Sequence, residues 1–264
     1  MRRKHRPRAS VLTIGRVTRE TWGMTQNIYD DETFFAGYSA LPRSIHGLDA
    51  APEFPSLRAL LPALKGLRVV DLGCGFGWFC RWARGEGAGS VLGIDVSERM
   101  LARAKAETTD GAITYARADL ETPELPLGAF DLAYSSLALH YVENLERLLK
   151  AVHAALAPGG RFVFSVEHPI FTAPSEPGWR EIGGRKMWPV DGYLDEGART
   201  TDWLAKGVVK QHRTIGTYVN TLLHAGFTLS HLEEWAPTEA QMAAHPEWEG
   251  ERERPSFLLV ACGR

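Results

Sequence analysis

Short apolar runs alternate along the chain with longer amphipathic stretches, and this alternation predicts strands connected by helices. The first two runs end at Asp71 and Asp95, and the segment between them carries apolar residues at helical spacing. Further runs follow at 113–118, 130–136 and 161–166. Strands that alternate with helices in this way indicate βαβ units and a parallel sheet, so the pattern predicts an α/β fold.

The remaining periodic segments extend this fold. Ser97 is a good N-cap for a helix that follows the second strand, and apolar spacing predicts a helix at 143–157. Near the end of the chain, a helix is expected at 214–225 and strands at 227–235 and 256–262. These elements supply two further strands for the same sheet.

A glycine turn joins the first strand to its helix. Gly73, Gly75 and Gly77 stand at alternate positions, and glycines let the backbone turn sharply and approach a ligand, at which the N–H groups of the helix also point. Asp95 follows Gly77 by 18 residues, close to the spacing at which an acid on the second strand accepts hydrogen bonds from ribose hydroxyls. A nucleoside is therefore the expected ligand.

The details of the turn distinguish between nucleosides. Dinucleotide folds use G-x-G-x-x-G, but here the third glycine comes one residue early and Trp78 occupies its place. Asp71 would repel a pyrophosphate and suits a ligand that carries an ammonium group. An NAD-dependent oxidoreductase is thus the weaker alternative.

The stretch D-L-G-C-G-F-G at 71–77 resembles the first motif of class I S-adenosylmethionine (AdoMet)-dependent methyltransferases. The L-x-P-G-G-x turn at 156–161 is also similar to that family. The resemblance implies a Rossmann-like three-layer sandwich with a seven-stranded, mostly parallel sheet, an antiparallel last strand, and AdoMet as cosubstrate. A non-catalytic AdoMet-binding or regulatory protein would carry the same motif and stays open as an alternative.

The resemblance also implies a set of cofactor-binding residues in the core at 66–166. Asp119, after the third strand, is expected to receive the adenine amino group, with an ordinary turn residue as the alternative. The expected residues are Asp71, Gly73, Cys74, Gly75, Gly77, Asp95, Val96, Met100, Asp119, Leu120, Ser135 and Ser136.

Two segments outside that core are expected to complete the site. Residues 24–65 form an N-terminal cap in which Tyr29, Tyr38 and Arg43 are candidates for covering the cofactor or gripping its carboxylate. Aromatic packing with a solvated Arg43 is the alternative. Residues 167–213, rich in glycine and aromatic residues, are interpreted as an acceptor-substrate lid inserted after the fifth strand, or else as a structural flap.

Two histidines near the carboxyl ends of strands are candidates for a general base. His140 follows the fourth strand and His168 the fifth, and an unperturbed histidine titrates near pH 6.5, which suits proton removal from a hydroxyl. Single histidines are more often packed or hydrogen-bonded than catalytic. The acceptor signatures of nucleic-acid and protein arginine methyltransferases do not occur in the sequence, so a small-molecule acceptor is expected.

The distribution of charge narrows the classes of function that remain. Residues 1–23 hold seven Lys/Arg and one acid, leaving 23 basic and 31 acidic residues in the rest, which argues against a nucleic-acid-binding surface. That basic segment is interpreted as a disordered or spurious tail, with a transit peptide or a true start at Met24 as alternatives.

The apolar runs and the cysteines indicate in which cellular compartment the protein is expected. No apolar run approaches membrane-spanning length, so no membrane association is expected. The three cysteines form no C-x-x-C pair and predict buried reduced thiols, no metal site and a cytoplasmic location. The sequence carries no signal for an oligomeric state. The final segment, 214–264, is assigned to the same single domain as 24–213.

Overall fold

The structure is a computed structural model that describes residues 26–264. The predicted tail at 1–23 and the alternative start at Met24 lie outside the described residues. The strands are β1 (Arg68–Leu72), β2 (Ser90–Asp95), β3 (Ile113–Arg117), β4 (Phe130–Ser136), β5 (Leu156–Glu167), β6 (Arg180–Ile182), β7 (Arg185–Met187), β8 (Gly197–Trp203), β9 (Ala205–His212), β10 (Thr228–Trp235) and β11 (Phe257–Gly263). The α-helices are α1 (Glu32–Ser39), α2 (Pro42–His46), α3 (Phe54–Leu60), α4 (Trp78–Gly85), α5 (Glu98–Ala106), α6 (Leu145–Ala155), α7 (Pro169–Thr172), α8 (Ile215–His224) and α9 (Glu239–Ala244).

Seven strands form the central sheet in the order β3-β2-β1-β4-β5-β11-β10, which confirms the predicted fold class. The pairs among β1 to β5 are parallel, and β11 is antiparallel to both β5 and β10. The strand order reverses between β1 and β4. In open α/β sheets, ligands bind outside the carboxyl ends of the strands at such a reversal.

Helices cover both faces of the sheet and bury its apolar side chains. On one face, Leu148 of α6 and Leu222 of α8 pack against Phe162 of β5. On the other face, Phe79 of α4 packs against Val69 of β1. Leu148 and Phe162 are fully buried, and burial of each such side chain contributes about 1.5–3 kcal/mol.

Most predicted elements after the second strand occur within a few residues of their expected bounds. Ser97 caps α5, since its side chain accepts a hydrogen bond from the Met100 N–H. Helix α6 ends at Ala155, two residues before the predicted end, because the chain already becomes extended at Leu156 and pairs with Phe130 of β4. Strand β5 therefore begins five residues earlier than its apolar run indicated.

The insertion after β5 contains regular structure that the sequence pattern did not predict. It holds α7 and two antiparallel hairpins, β6-β7 and β8-β9. All six residues of the first hairpin's strands are exposed, so they lack the apolar alternation by which strands are recognised. The division of the chain into cap, core, lid and C-terminal segment stays a prediction.

Two further properties of residues 26–264 bear on the earlier expectations. None of their helices is long and apolar enough to cross a membrane. Cys74, Cys80 and Cys262 are all buried and form no disulfide, as the sequence predicted.

Candidate functional site

A cavity of about 380 Å³ lies at the carboxyl ends of β1, β2, β4 and β5. Small-molecule sites in proteins span roughly 300–1,000 Å³, so the cavity is large enough for a ligand. We call the part built from strand ends and the glycine loop the glycine-loop wall: Gly73, Gly75, Asp95, Val96, Met100, Asp119, Leu120, Ser136, Leu137 and Ala138. We call a second part the aromatic wall: Tyr29, Tyr38, His140, Tyr141, Glu167 and Trp203.

Each glycine of the predicted turn is required, for different reasons. Gly73, Gly75 and Gly77 have φ angles of 78°, 51° and 73°, a region that L side chains rarely adopt. A Cβ on Gly73 would lie 2.4 Å from the Ala138 Cβ, and a Cβ on Gly77 would lie 2.2 Å from the Tyr115 hydroxyl. A Cβ on Gly75 would meet no protein atom within 4 Å. Gly75 therefore leaves open cavity space where a ligand can approach the backbone.

Asp95 ties the glycine loop to the second strand. Its Oδ2 accepts a hydrogen bond from the Gly75 N–H at 2.9 Å, and its Oδ1 accepts one from the Ser97 N–H at 2.9 Å. The residue is 9% exposed, and burial raises the pKa of the carboxyl while these hydrogen bonds oppose the rise. Asp95 thus fixes the loop and lines the cavity, where its predicted contact with ribose stays a prediction.

Asp71 does not line the cavity. Side chains alternate along a strand, and Asp71 shares a face with Val69, below α4. There the Cys80 thiol donates to Oδ2 at 3.3 Å, and burial raises the pKa of Asp71 to about 7. The Asp71 carboxyl lies under α4 rather than at the cavity, and its predicted contact with a ligand ammonium group stays a prediction.

Three other expected cofactor-binding residues also lie behind the lining. Ser135 is fully buried and its hydroxyl donates to the Leu72 carbonyl oxygen at 2.7 Å. Cys74 is buried with its sulfur beside Gly93, and Gly77 packs against Tyr115. These three residues lie behind the cavity lining, and their predicted contacts with the cofactor stay predictions.

The other expected residues of the core line the cavity, namely Val96, Met100, Asp119, Leu120 and Ser136. The alternative interpretation of Asp119 as a turn residue also agrees with the structure. Its Oδ1 accepts a hydrogen bond from the Glu121 N–H at 2.9 Å, as in an Asx turn. A turn and a ligand contact are compatible, and the adenine contact stays a prediction.

The cap residues Tyr29, Tyr38 and Arg43 line the cavity and are also packed. The Tyr29 ring lies 5.3 Å from the Tyr38 ring, and its hydroxyl donates to that of Tyr141 at 3.2 Å. The Arg43 Nη2 donates to both carboxylate oxygens of the buried Glu53, at 2.9 and 3.0 Å. Arg43 is therefore ion-paired rather than solvated, and its predicted grip on a ligand carboxylate stays untested.

His140 lies in the aromatic wall but is poorly suited to act as a base. Burial lowers its pKa to about 4, and the Glu167 N–H donates to its Nδ1 at 3.3 Å. In a neutral ring whose Nδ1 accepts, the proton resides on Nε2. The imidazole is therefore neutral near pH 7 and offers a hydrogen-bond donor at Nε2.

His168 does not line the cavity. Its Nδ1 accepts from the Ile170 N–H at 3.0 Å and caps α7, and its Nε2 donates to Glu234 Oε1 at 3.0 Å. Both ring nitrogens are therefore used within the protein, and burial lowers the pKa of the ring. His168 is a capping residue of α7 in this structure, and its predicted role as a general base stays a prediction.

Sequence reasoning missed Glu167 and its partner Lys210. Glu167 is the last residue of β5 and lines the cavity, while Lys210 of β9 lies behind it with Nζ 2.5 Å from Glu167 Oε1. The position of Glu167 at a strand end was a usable signal, although the histidine chemistry of the adjacent His168 indicated a base there instead. Lys210 had no such signal, since β9 was not predicted.

Comparisons with known proteins agree with this geometry. Residues 70–164 match the family described as a methyltransferase domain. The crystal structure of an S-adenosylmethionine-dependent methyltransferase from Mesorhizobium loti is 62% identical, covers 83% of this chain and all of its own, and superposes with a TM-score of 0.80.

Two curated relatives are also similar. An uncharacterized protein of Haemophilus influenzae is 34% identical over 89% of this chain and 95% of its own length. A malonyl-[acyl-carrier protein] O-methyltransferase of Pectobacterium atrosepticum is 34% identical over 48% of this chain, which spans about half of that relative.

Proposed function

The chain belongs to the S-adenosylmethionine-dependent methyltransferases, and we propose that it transfers the methyl group of AdoMet to a small-molecule acceptor bound at the aromatic wall. The observation that carries this proposal is that a glycine loop of the family type and a wall of aromatic side chains line the same cavity. A protein that only bound AdoMet would not need the second wall.

The residues of the glycine-loop wall fit AdoMet. An added Cβ on Gly75 would project into open space beside the cavity, so the loop forms a cradle that only glycine leaves free. Two carboxylates of this wall, Asp95 and Asp119, suit a ligand that carries two positive charges and one negative charge. We propose that Asp95 binds the ribose and that Asp119 binds the adenine.

Methyl transfer from AdoMet mainly requires the protein to position the acceptor. The sulfonium of AdoMet supplies a methyl group that is already electrophilic. The chain's own residues must hold the acceptor at attack distance and keep water away. Tyr141 and Trp203 provide an apolar surface for this purpose, and neutral His140 offers a hydrogen-bond donor rather than a base. Tyr29 and Tyr38, which extend this wall, stay candidates for covering the cofactor.

The backbone of Leu137 is strained at the edge of the cavity. It follows β4, lines the cavity and has a φ of 55°, a conformation that costs a non-glycine residue about 1–2 kcal/mol. Such strain occurs preferentially at functional sites.

The test is methyl transfer from AdoMet labelled with tritium in its methyl group to an extract of small metabolites. We expect label in a new compound of the small-molecule fraction, with none in added protein or RNA. Binding of S-adenosylhomocysteine with no transfer to any fraction would contradict the proposal and identify a non-catalytic AdoMet-binding protein.

A further inference from the structure

The ion pair between Glu167 and Lys210 is a charged group at the aromatic wall that the proposed function has not used. The Glu167 side chain is 16% exposed and the Lys210 side chain 6%. Placing two charges in such surroundings is costly, and a buried ion pair is seldom explained by stability alone. The pair therefore calls for another role.

The two partners are satisfied to different degrees. The Lys210 ammonium contacts Glu167 Oε1 at 2.5 Å and lies 4.8 Å from the ring centre of Trp203 and 6.0 Å from that of Tyr141. In contrast, Glu167 Oε2 is buried and accepts a hydrogen bond from none of the described residues. Buried polar atoms nearly always have a partner, so a donor on a ligand is the expected one.

The charges of the lining indicate what kind of donor this is. Arg43 is the cationic residue among the described lining residues, and it is already bonded to the buried Glu53. Glu167, Asp95 and Asp119 are acidic. A carboxylate on the acceptor would meet like charges and no available cation, whereas an amine or hydroxyl would meet an acceptor atom.

We propose that Glu167, oriented by Lys210, binds the methyl acceptor through a hydrogen bond from an amine or hydroxyl group carried on an apolar or aromatic body. This inference rests on the proposed function, since it assigns the aromatic wall to the acceptor. It makes Glu167 a specificity residue that favours N–H and O–H groups over carboxylates.

The test measures binding of three fragments that share one ring: benzylamine, benzyl alcohol and benzoate. Each is titrated by NMR into the full chain saturated with S-adenosylhomocysteine. We expect benzylamine or benzyl alcohol to bind at least about tenfold more tightly than benzoate, since one hydrogen bond to a charged group accounts for that ratio. Benzoate binding as tightly as the other two would overturn the proposal.

Variants locate the effect at the ion pair. The double variant E167M/K210M replaces both charges by apolar side chains of similar size, a change that buried pairs often tolerate. It should lose the discrimination against benzoate. E167Q should weaken the amine about tenfold but retain the alcohol, because glutamine keeps an acceptor oxygen, so the two acceptor classes are distinguished.

The matched control is Glu146→Gln, which removes the carboxylate of an exposed Glu–Lys pair on α6. It should bind all three fragments as the unaltered protein does. Equal fragment binding by E146Q and E167M/K210M would contradict the role of Glu167. Failure of S-adenosylhomocysteine to stabilise the unaltered protein would instead overturn the proposed function itself.

Discussion

The two walls of the cavity are held together in different ways. The glycine loop at the centre of the glycine-loop wall is organised by main-chain hydrogen bonds within one βαβ unit, such as those from Gly73 and Cys74 N–H to the Ile94 carbonyl oxygen at 2.8 and 3.0 Å. The aromatic wall joins distant segments through side chains, as in the contact of Tyr29 with Tyr141, 112 residues away. A local wall suits a constant cosubstrate, whereas a wall of side chains can vary with the acceptor.

The largest expected effect concerns Asp71, which lies behind the glycine-loop wall. Burial raises its pKa to about 7 in the folded protein, from an ordinary value of 3.8, so the folded state retains a proton that the unfolded chain has lost. The unfolding free energy should therefore fall by about 2–4 kcal/mol as pH rises from 4 to 7. Asp71→Asn should abolish this fall in denaturant titrations and leave S-adenosylhomocysteine affinity unchanged.

Asp131→Asn is the control for this measurement. Hydrogen bonds from Arg68 lower the pKa of Asp131, so its contribution to stability is present at neutral pH and is lost as pH falls. The two variants should thus change the pH dependence in opposite directions. Loss of S-adenosylhomocysteine binding in Asp71→Asn would support the predicted contact of Asp71 with the ligand.

The next effect concerns the aromatic wall. The half-buried Trp203 ring lies 5.5 Å from that of Phe34, so Trp203→Ala should reduce the unfolding free energy by about 2–3 kcal/mol, less than for a fully buried Trp. It should also weaken fragment binding. Trp179→Ala, in the insertion but away from the cavity lining, should be similarly destabilised while fragment binding stays unchanged. Equal fragment binding by both variants would contradict an acceptor role for the aromatic wall.

A substitution at Gly75 separates binding from folding. Valine there should clash with the ligand and weaken S-adenosylhomocysteine by roughly 10- to 100-fold, equivalent to about 1–3 kcal/mol, in calorimetric titration. Gly128→Val is the control, because Gly128 also has positive φ, at 59°, and an added Cβ meets nothing within 4 Å. Equal affinity in the two variants would show that the cavity is not the cosubstrate site.

The smallest effect is expected at His168. Removing its cap on α7 with His168→Ala should cost about 1 kcal/mol of unfolding free energy and leave S-adenosylhomocysteine affinity and methyl transfer intact. His168→Asn, which retains a capping side chain, should recover most of the stability. A large loss of transfer without a loss of stability would support the predicted catalytic role of His168.

The sheet and the glycine-loop wall were largely predictable because their signals are local. Apolar runs identified the seven strands, and the spacing of Gly73, Gly75 and Asp95 follows from one turn geometry. The local pattern did not predict the direction of every side chain at this wall. Asp71 lies one residue before the end of β1, and alternation directs it under α4 rather than into the cavity.

The aromatic wall was only partly predictable because its contacts are long-range. The aromatic content of 167–213 indicated a binding segment, but nothing local predicted that Lys210 would meet Glu167 or that Trp203 would meet Phe34. Glu167 lines the cavity, whereas the next residue, His168, does not. Distinguishing the two requires knowing where β5 ends, and the apolar run predicted that end one residue too early.

Thermal unfolding with S-adenosylhomocysteine tests the central claim most directly. Ligand at about a hundred times its dissociation constant adds about 2.7 kcal/mol, which for a chain of this size raises the midpoint by roughly 5–10 °C. We predict that rise for the unaltered protein, a smaller rise for Asp95→Ala, and none with NAD. A rise with NAD and none with S-adenosylhomocysteine would contradict the account.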